Sequence, residues 1–164
     1  MKTDLSLGNR PDLATERLSL RRPNDRDVDA IVGVVGNWEV ARRLARVPHP
    51  YGPADARFFL DHVIPAEWVW AVTLLGSDTL LGVIGLTPEE GADAAELGYW
   101  LSPAHWGSGI TTEAARAVVA FGSRTSRPSR HHIWLLCGQS SIGPGASQAR
   151  LCGNRARQCD LASR

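Results

Sequence analysis

Apolar and polar positions alternate from Arg17 to Arg21, with Leu18 and Leu20 set against Ser19, which predicts a half-buried first strand. The period then changes. Val28, Ile31, Val32 and Val35 recur at helical spacing behind Asn24 and Asp25, either of which can cap a helix. Trp38, Ala41 and Ala45 suggest a second short helix that carries Arg42 and Arg43 outward. Pro48-His49-Pro50-Tyr51-Gly52 reads as a turn, and Pro53 suits a first helical position before the stripe Ala56, Phe59, Leu60 and Val63. Val69–Leu75 and Thr79–Leu86 are apolar strand candidates around a hairpin at Gly76-Ser77-Asp78. Leu97, Tyr99 and Leu101 alternate with Glu96 and Gly98 in the next strand, and Pro103 stops it because proline has no N–H. Thr111, Thr112 and Glu113 suit a first helical turn, with Ala114, Ala117, Val118 and Phe121 as its apolar face. The predicted order is a strand, two or three helices, three antiparallel strands and a helix. That order implies an α+β domain of α/β/α layering, a mixed but mostly antiparallel twisted sheet with flanking helices.

Length changes this picture little: 164 residues suit one domain with a sizeable core. Charge changes it more. The net charge of +1 hides a tail from Ser123 to Arg164 with seven Arg, no Lys and one acidic residue, Asp160. Cys137, Cys152 and Cys159 all lie in that tail, at a spacing that fits neither a zinc site nor a disulfide framework. We therefore divide the chain into a folded part, 1–122, and an aberrant basic tail, 123–164, in which His131–Cys137 is apolar enough for one more strand. Residues Met1–Ala14 lack a signal-peptide pattern, and no apolar run is long enough to span a bilayer, so a cytoplasmic location is the default expectation.

The segment from Glu96 to Ala115 concentrates the candidate chemistry. Gly107 and Gly109 permit a tight turn and close backbone approach, and the helix start that follows offers unpaired amides to an anion. A Gly-x-Gly pair alone is equally a plain turn between strand and helix. The whole string is more specific. Gly98-Tyr99-Trp100-Leu101, Pro103, Trp106-Gly107-Ser108-Gly109 and Thr112-Glu113-Ala114 resemble the acetyl-coenzyme-A signature of GNAT-type N-acetyltransferases, in the RimJ/RimL-like branch that acetylates ribosomal-protein N-termini. A second segment agrees: Arg46-Val47-Pro48-His49-Pro50-Tyr51, followed by Asp55-Ala56 and Phe59-Leu60. One departure is Ala104, where that family often has a long polar residue.

The resemblance implies transfer of an acetyl group from acetyl-coenzyme A, as co-substrate and without a metal, to a primary amine on a protein N-terminus or small molecule. It implies that His105, Trp106, Gly107, Ser108, Gly109, Ile110 and Thr111 hold the coenzyme's diphosphate. Backbone groups of Trp100, Leu101 and Ser102 would meet the pantetheine arm and the developing oxyanion. Arg46, His49 and Tyr51 would line the acceptor cleft, or simply shape a turn. Glu96 is the candidate base, directly or through a water; its plain alternative is a strand carboxylate, exposed or paired with Arg22. Tyr99 could donate a proton, or be a packed strand residue. Trp106 reads as packing under the loop. A membrane partner is not expected, nucleic acid is a lesser alternative resting on the tail's Arg, and a homodimer is left open.

The tail breaks the resemblance. The family continues with a strand, an Asn-initiated helix and a final hairpin, whereas here Gly143-Pro144-Gly145 forbids a helix. In the neighbouring reading frame, legal codons for His131 to Arg155 permit the missing family elements, including Asn-Pro-Ala-Ser and Leu-Gly-Phe. The expectation is a frame shift between about Phe121 and His131, a missing last helix and hairpin, and poor packing beyond Cys137. A catalytically impaired remnant that binds coenzyme A weakly is the alternative function.

Overall fold

The computed structural model describes residues 10–44, 47–88, 94–125 and 132–135. A two-residue strand β1 (Leu13–Ala14) pairs with β2 (Leu18–Arg21), whose Leu18 and Leu20 are fully buried as the alternation predicts. Asn24 caps the next turn: its side chain accepts from the Arg26 amide, while the Asp27 carboxylate accepts from the Asn24 amide. Asp27 is buried, and the Arg21 guanidinium pairs with it through both oxygens at 2.8 and 2.9 Å. Helix α1 (Val28–Val35) buries Val28, Ile31 and Val35, and α2 (Trp38–Ala41) follows under an Asn37 cap. Helix α3 (Pro53–Phe58) starts at Pro53, widens into a π turn over Phe59–Val63 and closes as α4 (Ile64–Ala66).

Four more strands complete the sheet: β3 (Trp68–Leu74), β4 (Gly82–Pro88), β5 (Ala94–Leu101) and β6 (His132–Leu135). The order is β1-β2-β3-β4-β5-β6, antiparallel except for the parallel β5–β6 pair. Helix α5 (Ile110–Thr125) covers one face and α1, α3 and α4 cover the other. The α5 face buries Leu18, Leu20, Trp70, Ile84, Leu86, Leu97, Leu101, Ala114 and Val118. Trp70 is its largest member; its indole donates to the Pro11 carbonyl at 2.9 Å and its ring meets Phe121 edge-on at 5.5 Å. Truncating such a residue to Ala costs about 3–5 kcal/mol.

The predicted layering is the observed one. Three local readings change. β1 lacked a readable alternation because it holds only two residues. The strand expected from Thr79 begins at Gly82, although the Leu81 amide already reaches the Val72 carbonyl at 2.8 Å. Gly82 is required there, because a Cβ on it would sit 2.3 Å from the Trp100 carbonyl oxygen. The extra strand expected at His131–Cys137 forms over His132–Leu135, while Ala45, His131, Leu136, Cys137 and the stretch Gly138–Ala149 lie outside the described residues.

Candidate functional site

β5 delivers the chain to a short 3-10 turn (Pro103–His105), then to Gly107 and Gly109, both at positive φ (74° and 79°), and then into α5. Only glycine takes these angles without strain. The Glu113 amide donates to the Gly109 carbonyl at 3.0 Å, so Gly109 is the cap residue of α5. The amides of Ile110, Thr111 and Thr112 therefore have no partner within the helix and point out of its start, with the positive end of its dipole. His105, Trp106, Gly107, Gly109, Ile110, Thr111 and Thr112 line a shallow, solvent-open hollow there.

The loop is tied down at several points. The Trp106 indole donates to the Leu101 carbonyl at 2.8 Å, and the Arg43 guanidinium lies over its ring at 4.8 Å. Ser108 Oγ donates to the His105 carbonyl. Arg17 donates from one terminal nitrogen to the Ser108 carbonyl at 3.2 Å. Its Nε meets Glu113 Oε2 at 2.7 Å. Glu113 also accepts from Thr15 Oγ1 at 2.6 Å and from the Arg17 amide at 3.0 Å. The Thr15 hydroxyl first, then the Arg17 amide and guanidinium, hold the Glu113 carboxyl below its ordinary range.

β5 carries a strand on each side. β6 pairs with it from Ala94↔His132 to Leu97↔Leu135, and β4 pairs with it from Pro88↔Ala95 to Gly82↔Leu101. The Ser102 amide is not available to a ligand arm, because it donates to the Leu81 carbonyl at 2.8 Å.

The period of two sorts the strand residues. Leu97, Tyr99 and Leu101 join the α5-side core, while Trp100 packs with α1 and α3 on the opposite face. Glu96 shares that second face by register and is half-buried. Glu96 and Tyr99 thus lie on opposite faces of β5, as the strand alternation predicts, and Tyr99 packs against the α5-side core. Among the described residues no ion pair joins Glu96 to Arg22. On the face with Glu96, Tyr51 packs beside the α1–α3 core, and burial, then Asp55, push its phenol up to about 12. Tyr51 is therefore a hydrogen-bond donor at neutral pH and not a base. His49 is exposed, 5.0 Å from the ring of Trp38. Arg46 lies outside the described residues.

Sequence reasoning missed Arg17, Thr15 and Arg43, which act across long sequence separations; Thr112 and Glu113 stood in the signature string as first-turn residues, without a role of their own. Among the described residues no group of three or more His, Cys, Asp or Glu could hold a metal ion, and no helix is long and apolar enough to cross a membrane.

Comparison with known proteins then gives a family profile described as "Acetyltransferase (GNAT) domain", which matches residues 17–140. The Bacillus subtilis protein YoaA, described as an uncharacterized N-acetyltransferase, is 27% identical over 124 residues, covering 68% of this chain and 66% of YoaA. The chain thus spans just under two thirds of that relative's length. An acetyltransferase of the GNAT family from Bacillus anthracis superposes with a TM-score of 0.67 at 23% identity, over 77% of this chain and 74% of that one. A ribosomal-protein-S5-alanine acetyltransferase from Vibrio fischeri gives 0.61 at 14%, over 76% and 73%. RimL, a ribosomal L7/L12 α-N-protein acetyltransferase solved with coenzyme A, gives 0.60 at 19%, over 75% and 73%. At these identities the solved structures speak for the shared fold.

Proposed function

Because the chain belongs to the GNAT acetyltransferase family, we propose that it transfers an acetyl group from acetyl-coenzyme A to a primary amine, on a protein N-terminus or a small molecule. The observation that carries this reading is the outward-facing amide cluster of Ile110, Thr111 and Thr112, behind the two positive-φ glycines at the start of α5. The residues present fit the coenzyme: those glycines shape a nest for its diphosphate. When bound, acetyl-coenzyme A supplies an activated thioester carbonyl.

The chain's own residues then have separable tasks. The loop amides neutralise the diphosphate and fix the thioester's position along β5. A backbone donor near Trp100 faces the place where negative charge gathers on the acetyl oxygen. Glu96 accepts the amine's proton, directly or through a water. Tyr51 and His49 orient the acceptor from the helical face.

The likeness to RimL and to the S5-alanine enzyme supports a protein N-terminus as acceptor. A thiol-release assay with a panel of amines and peptides tests the function: release that depends on a particular amine supports it, and none above hydrolysis refutes it. The composition after 122 favours a second reading, a frame-shifted remnant that holds coenzyme A without turnover. Coenzyme binding without thiol release selects it. So does a nucleotide sequence whose neighbouring frame encodes Asn-Pro-Ala-Ser and Leu-Gly-Phe.

A further inference from the structure

We infer that Arg17 is the cation that makes the amide nest fit for a diphosphate, and that it acts by cancelling Glu113 as well as by facing the ligand. The inference rests on the coenzyme reading above. From Leu101 to Ala115 the chain has no Lys or Arg. Glu113 meanwhile places a carboxylate in the first turn of the helix whose start should receive an anion. Left alone, that charge opposes the helix dipole's attraction for a ligand of the same sign.

Arg17 answers both problems from the turn before β2. Its Nε is 2.7 Å from Glu113 Oε2, one terminal nitrogen holds the Ser108 carbonyl at 3.2 Å, and the other lies 3.5 Å from where a Cβ on Gly109 would stand. That contact sets its charge beside Gly109, which lines the hollow, and half of the side chain remains exposed. A second cation near the loop, Arg43, is committed to Glu39 and to the Trp106 ring. Arg17 is thus a positioning and charge-balancing residue for coenzyme binding.

Titration of coenzyme A and of pantetheine, which lacks the phosphates, into four forms of the full chain tests this: unmutated, Arg17→Met, Arg17→Lys, and Arg17→Met with Glu113→Gln. Arg17→Met should weaken coenzyme A about tenfold at low salt and less at high salt. Arg17→Lys should keep most of the affinity, and the double variant should regain about threefold over Arg17→Met. Pantetheine affinity should stay constant throughout. Unchanged coenzyme A affinity in Arg17→Met overturns the inference. So does a double variant as weak as Arg17→Met, or a parallel loss for pantetheine, since a purely structural clamp predicts both. If the unmutated chain binds no coenzyme A, the parent reading falls and this one with it. Melting curves of each variant confirm that folded protein is being compared.

Discussion

The two sides of the β5 end are built in different ways. The loop from Ser102 to Thr112 is made of backbone: two glycines set its path, amides line it, and bonds from Arg17, Trp106 and Ser108 fix it. The helical side is made of side chains, and several are loosely held. Trp38 is 58% exposed beside His49, and Phe58 is 59% exposed and stacked on His62 at 4.4 Å. Backbone donors suit a part of the ligand that never changes, because few substitutions can remove them. Exposed aromatic rings suit a part that varies, because they can be exchanged at little cost to the core. On the proposed function the first side holds the coenzyme and the second meets the acceptor.

The largest effect is expected where the loop side depends on strand contact. Gly82→Ala places a methyl 2.3 Å from the Trp100 carbonyl oxygen and 2.8 Å from Leu101 Cα, both backbone atoms that cannot swing away. The β4–β5 pair must part at its functional end. A loss of about 2–3 kcal/mol in urea unfolding is expected, with coenzyme binding lost in step. A stable, binding-competent Gly82→Ala protein would show that this strand end does not position the loop.

Glu96 sits between the two sides and tests whether they meet in one reaction. Glu96→Gln should lower turnover by about a hundredfold and flatten the pH profile of kcat, while coenzyme affinity is kept. Retained turnover with an unmoved profile would leave Glu96 a strand residue and give the proton to water alone.

Within the loop itself, Gly109→Val forces a β-branched residue to a φ of 79°. About 1–3 kcal/mol of strain is expected, together with coenzyme affinity reduced about tenfold. Calorimetric titration reads the affinity; equal binding would contradict the diphosphate nest. Across the sheet, Trp38→Ala should move stability by only about 0.5 kcal/mol, since the ring is mostly in solvent. It should change kcat/KM for the amine by a few-fold and leave coenzyme KM alone. A matching change in coenzyme KM would erase the distinction between the two sides.

What was legible in the sequence follows the same division. Gly107, Gly109 and the helix start at Ile110 are local features, and local φ/ψ demands print themselves as residue types. So does Pro53 opening α3. The opposite faces of Glu96 and Tyr99 were also readable, since 96 and 99 differ in parity. Arg17 and Thr15 were not readable: Glu113 is 96 and 98 positions away from them, and nothing in the turn before a strand says which helix it will touch. The commitment of the Ser102 amide to Leu81 depends on register, which alternation constrains but does not number. The π turn at Phe59–Val63 was hidden because its apolar stripe reads as ordinary helix.

The smallest effect compares one carboxylate on each side. Glu113 is held low by Thr15, then by Arg17, and its side chain is 20% exposed; Glu39 is held low by Arg42 and Arg43 with its side chain 52% exposed. A carboxyl whose pKa in the fold lies below its unfolded value stabilises the fold above that unfolded value, here near 4.5, and the contribution is lost as pH falls through the lowered one. Both groups therefore stabilise at neutral pH and lose that effect as the pH falls below the ordinary carboxylate range and through their lowered values. They should differ in size and in salt dependence. Glu113 bonds two neutral donors as well as the Arg17 guanidinium, and it joins α5 to the turn between β1 and β2; Glu39 only ties α2 to the residues just after it, in solvent. Glu113→Gln should lower the melting temperature at pH 7 and flatten its fall in acid, in low and high salt alike. Glu39→Gln should do so slightly in low salt and not at all in high salt, where an exposed pair is screened. Melting curves at pH 7, 5, 4 and 3 for the three proteins decide the matter. Equal slopes for Glu113→Gln and the unmutated chain would mean that the clamp on the loop holds by packing and not by charge.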